Sequence, residues 1–144
     1  MSTMGPEPSG VAARLVGARL VQLELEHEAV WLLGVVGGRE SGLRDRVADE
    51  LERHLQQRDR LLASLDVADV DAGVPRASYG VPPADESAAR IAIADVERRL
   101  SAACLAVVPL LEPSERATGV EALTDAARAA VRWGEAPRAF PGLD

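Results

Sequence analysis

The sequence predicts an all-α protein, a four-helix bundle with one long crossover between helices 2 and 3. Three observations predict it. Apolar residues recur at three- and four-residue spacings through most of the chain, the period of an amphipathic helix. Aromatic residues make up 3% of the chain and hydrophobic residues 47%. The core must therefore be Leu, Val and Ala, which suits close-packed helices better than a β-sandwich. The connections are also unequal: two are short, while the middle one, about Asp66 to Ala84, contains Gly73, Pro75, Gly80, Pro82 and Pro83.

The first helix is expected from about Val11 to Val36, ended by Gly37 and Gly38 as a C-terminal cap. The second runs from about Gly42 to Leu65, with Ser41 as its N-cap. The third starts near Asp85 or Glu86 and reaches Val108, where Pro109 disfavours continuation. The fourth follows Pro113, with Ser114 as N-cap, and ends near Trp133–Gly134. Short connections make helices 1 and 2 antiparallel, and likewise helices 3 and 4. A helix of about 24 residues is ~36 Å long, and a segment of about 19 residues spans up to roughly 60 Å when extended. The middle segment can therefore return along the bundle, making helices 2 and 3 parallel, with Tyr79 pinning it to the helices. Residues 1–10 are expected to be a flexible N-terminus, 11–134 the bundle, and 135–144 an irregular tail.

Polar residues interrupt the apolar faces. On helix 2, Leu43, Val47, Leu51, Leu55, Leu61, Leu62 and Leu65 share one side, with Arg58 at its centre and His54 at its margin. On helix 3, Glu97 lies beside Ile93, Leu100 and Cys104. Helix 1 is open to two readings. Either Glu26 faces inward with Gln22 and Arg19, or His27 does so with Val16, Leu20 and Leu23. A charge at a core position is costly unless paired. Glu26, His54, Arg58 and Glu97 are accordingly the candidate core polar network, with Arg58 bridging the carboxylates. The face of helix 4 formed by Val120, Leu123, Ala127, Ala130 and Val131 offers the core no ligand. Helix 1 is apolar on a second side, where Val21, Leu25 and Leu32 form a candidate interface.

Short motifs carry a resemblance. Glu26-His27-Glu28-Ala29-Val30-Trp31 followed by Gly34 and Gly37, His54 followed by Arg58-Asp59-Arg60-Leu61, Glu97-Arg98-Arg99-Leu100, and Arg132-Trp133 resemble the four helices of a ferritin-like domain family of unknown function found mainly in actinobacteria. The resemblance covers nearly the whole chain and implies the ferritin-like arrangement of two hairpins joined by one crossover. In the wider superfamily, two metals are held by a Glu from each of two helices and Glu-x-x-His from the other two. Here Glu26, His54 and Glu97 match, and Glu50 lies four residues before His54 rather than three. The resemblance thus implies an alternative metal set of Glu26, Glu50, His54 and Glu97 for iron or manganese. A cationic Arg58 nearby favours no cofactor at all.

The net charge of −7 argues against a nucleic-acid partner. The absence of a long apolar run and of a leader-like start points to a cytoplasmic protein without a membrane role. Neither a phosphate loop, nor paired CxxC, nor HExxH is present. Two functions are therefore expected to compete. One is a non-catalytic module with a degenerate, metal-free polar core, assembling as a homodimer through helix 1. The other is a metal-dependent enzyme or iron-handling protein with a reduced ligand set.

Overall fold

The computed structural model describes residues 9–143, and the expected flexible N-terminus lies outside them apart from Ser9 and Gly10. Four helices form: α1 (Gly10–Arg39), α2 (Arg44–Val67), α3 (Glu86–Val107) and α4 (Arg116–Arg132). The described residues contain no strand. Ser9 caps α1 by accepting a hydrogen bond from the Ala12 amide at 3.2 Å. Asp85 caps α3 in the same way, accepting from Ala88 at 2.8 Å.

Three expected boundaries shift. Helix α1 runs through Gly37 and Gly38, and Glu40 closes it. A Cβ on Gly37 would come within 3.2 Å of Val47, so this glycine lets two helices approach rather than ending one. Ser41 opens a 3-10 turn, Ser41–Leu43, without a side-chain cap. Ser114 does not cap α4, which starts at Arg116. The α2 terminus uses Asp69 at φ 55°, with the Val70 amide bonded to the Leu65 carbonyl. This is the left-handed closure usually given to glycine, and one that Asp tolerates.

The topology matches the loop-length argument. Gly37 meets Val47 near one end of the α1–α2 pair and Glu26 meets His54 further along, so α1 and α2 are antiparallel. The Glu86 carboxylate lies against Gly42, and Glu97 meets His54, so α2 and α3 run parallel. The connecting segment returns along the bundle, and the Tyr79 ring sits 6.2 Å from that of Trp31 on α1. Helix α1 packs on α2 and α3, and α3 packs on α4. Helices α2 and α4 have little backbone contact, and the space between them is a cleft of about 440 Å³ lined by Arg53, Gln57, Asp125 and Arg128, among others.

Two apolar layers form the core. The larger includes Leu33, Val36, Leu43, Val47, Ile93, Val96, Leu100 and Trp133, and the smaller Leu23, Leu61 and Leu65. Between them in sequence, on their respective helices, lie Glu26 and His54. Of the three residues of the expected helix 1 interface, Leu32 is buried within the chain's own core, Leu25 is half-buried against it, and Val21 is exposed. The broad apolar circumference of α1 is used by two neighbouring helices at once. No helix among the described residues is long and apolar enough to cross a membrane.

Candidate functional site

Four buried charged residues converge near the middle of the bundle: Glu26 on α1, Glu50 and His54 on α2, and Glu97 on α3. Glu26 faces inward because Gln22, Glu26, Ala29, Leu33 and Val36 follow one buried stripe of α1. His27, its alternative, is only half-buried, where burial and the charge of Arg58 lower its pKa.

His54 is the hub. Its Nδ1 lies 2.6 Å from Glu26 Oε2 and its Nε2 lies 2.7 Å from Glu97 Oε1. Arg53 Nη2 also lies 3.2 Å from Nε2, but the carboxylate oxygens are closer to both nitrogens and only accept, so the arrangement favours a proton on each and an imidazolium ring. Burial pulls its pKa down, but hydrogen bonds to Glu26 and Glu97 and their charges outweigh burial and raise it to about 9. Arg53 donates to the same Glu97 oxygen. It also grips Glu50 Oε2 through Nε and Nη2 at 3.1 and 2.9 Å. The other Glu50 oxygen accepts from Arg132 at 2.7 Å and from the Trp133 indole at 3.3 Å. Burial opposes ionisation of Glu50, yet its bonds to Arg132 and Arg53 lower its pKa. Three carboxylates thus meet three cations. The Arg46 guanidinium stacks 4.3 Å from the Trp133 ring, holding the indole in place.

Arg58 is not in this cluster. It is half-buried and bonds Asp59, its neighbour in sequence, at 2.9 and 3.1 Å. The buried residues of α2 are Val47, Glu50, His54, Leu61 and Leu65. Their axis is rotated roughly 40° from the one through the leucines, at 100° per residue. Counting apolar residues alone drew the expected face toward Leu51, Leu55 and Leu62, which are only half-buried. The guanidinium in the core belongs to Arg53. The sequence carried a sign of it: Glu50 and Arg53 stand three apart on a helix, a spacing at which side chains meet. Helix α4, expected to offer the core no ligand, supplies Arg132 from its last turn and Trp133 from its C-cap, both bonded to Glu50.

Glu50, His54 and Glu97 each offer an atom within 4.8 Å of the others and could hold a metal ion. Glu97 Oε2 is buried without a hydrogen-bond partner, an oxygen such an ion could take. Glu26 is not a ligand in that arrangement. It meets the opposite ring nitrogen and would orient the imidazole, as carboxylates behind metal-bound histidines do. Binding would require His54 to lose its Nε2 proton and Arg53 to leave Glu97. The residues do not fit a two-metal centre, which takes about six ligands.

Among curated proteins, no sequence matches the chain. The crystal structure of a conserved hypothetical protein, rv2844, from Mycobacterium tuberculosis is similar in fold, with a TM-score of 0.80 at 26% identity over 92% of this chain and 100% of that one. Residues 18–144 match the family described as Domain of unknown function (DUF4439), so the chain belongs to that family.

Proposed function

We propose that the chain is a ferritin-like bundle in which an internal ion-pair cluster stands where that superfamily holds metals, and that it works as a non-catalytic binding module. The observation that supports this is His54, both of whose nitrogens are committed to Glu26 and Glu97. A ring so bonded has no lone pair to give, and Arg53 adds a fixed positive charge beside the same Glu97 oxygen. The acidic net charge favours protein or small-molecule partners over nucleic acid. Homodimer formation through helix 1 would rest on Val21, since Leu25 and Leu32 pack against or within the chain's own core.

The test is metal content of protein expressed with added iron and manganese. The expected result is less than about 0.1 ion per chain and no gain in melting temperature on adding either ion, since an ion that binds only the folded state stabilises it. A second reading, a single metal on Glu50, His54 and Glu97, is favoured by the orphaned Glu97 oxygen. One ion per chain, lost in Glu97→Gln and His54→Ala, would establish it and overturn the first.

A further inference from the structure

Away from the buried cluster, α3, α4 and the segment after α4 enclose a cleft of about 610 Å³, within the range of small-molecule sites (about 300–1,000 Å³). Leu123, Ala127, Ala130, Val131 and Pro137 give it apolar walls. Its charged lining is one-sided: Arg98, Arg128, Arg132 and Arg138 against Glu135 alone. Arg132 is held by Glu50, Arg98 by Asp95 and Arg138 by Glu135. Arg128 is exposed and makes no ion pair among the described residues.

The segment over the cleft is fastened at both ends. Gly134, at φ 116°, turns the chain off α4, and the Glu135 amide closes that helix on the Ala130 carbonyl at 2.9 Å. Gly142, at φ 87°, presses on α3 so closely that a Cβ would lie 2.8 Å from the Ser101 carbonyl oxygen. Only glycine fits that contact without displacement. Between these points Pro137 and Pro141 stiffen the strap. An apolar trough under a fastened strap, rimmed by arginines, is complementary to a molecule with an apolar chain and one anionic end.

We propose that this cleft binds an amphipathic carboxylic acid, with the alkyl chain along Leu123, Ala127 and Val131 and the carboxylate at Arg128. A guanidinium meets a carboxylate through two parallel hydrogen bonds, and each buried methylene adds about 0.8 kcal/mol, close to fourfold in affinity.

The experiment is calorimetric titration of the full chain with hexanoate, octanoate and decanoate below their micellar concentrations, with 1-decanol and acetate as controls. One saturable site per chain is expected, tightening about three- to fourfold per methylene, with acetate not binding. Arg128→Gln should weaken decanoate about five- to tenfold and leave decanol unchanged. Ala127→Trp, which fills the trough, should abolish both. Gly142→Ala should weaken all ligands while leaving helix content intact. Circular dichroism of each variant separates lost binding from lost fold. Absence of decanoate binding at 1 mM (about −4 kcal/mol), unsaturable uptake, or binding indifferent to Ala127→Trp in folded protein would overturn the proposal. So would self-association abolished by Phe140→Ser, Phe140 being 73% exposed, without decanoate uptake. That result would give the trough to a second copy.

Discussion

Raising the pH through the neutral range should cost this protein stability, and His54 sets how much. Its imidazole has an ordinary pKa of 6.5 and one of about 9 in the fold. A folded-state pKa above the unfolded value means that the folded chain keeps a proton the unfolded chain has released. The contribution is therefore fully present below pH 6.5 and is lost as pH rises through 9. At 1.36 kcal/mol per unit, the full shift amounts to roughly 3 kcal/mol, of which roughly 2 kcal/mol disappears between pH 6 and 8.5. Two further groups with shifted pKa values bear on the slope. His27 has a lowered pKa, so its contribution rises with pH and is complete near pH 6.5. Cys104 is pushed up to about 12, first by burial and then by the charges of Glu26 and Glu97, and adds a similar loss only above pH 8.5–9. Urea unfolding followed by circular dichroism at pH 6.0, 7.0, 8.0 and 8.5 measures the slope, and His54→Gln should flatten it. Nitrogen chemical shifts of the ring should report an imidazolium at pH 8. Stability that is flat or rises across the window, or falls equally in His54→Gln, would refute the doubly bonded charged ring.

Arg53→Ala should cost about 2–4 kcal/mol, somewhat below the ~3–5 kcal/mol usual for halving a buried pair, because Glu97 keeps His54 and Glu50 keeps Arg132. Arg58→Ala should cost under about 1 kcal/mol, since its partner Asp59 is exposed, and denaturant midpoints that reverse this order would dismiss the assignment. Cys104 is buried with a raised pKa, so an aromatic disulfide reagent at pH 8 should label it only after unfolding. Rapid labelling of native protein would show that the core opens at that thiol.

The sequence by itself determined the helices and their connectivity. Apolar spacing is a local property, and a chain of fixed length per residue either can or cannot return along a bundle. The long segment from α2 to α3 therefore implies two parallel helices from its length alone. It also placed Glu26, His54 and Glu97 among core candidates, because a charged residue in an apolar stripe stands out locally. Tertiary structure decided which cation joins them. Arg53 and Arg58 are five residues apart on one helix, and a rotation of roughly 40° separates the two possible faces. That rotation is set by how α1 and α3 close on α2 around three carboxylates, not by the leucines of α2 alone. The same holds for Arg132 and Trp133, whose contact with Glu50 joins residues more than eighty positions apart, and for Leu32, whose apolar side fits a partner subunit or a neighbouring helix equally well until the chain folds. Periodicity tells each helix that it has a buried side; only the meeting of the helices, where every buried charge must find its opposite, fixes where that side points.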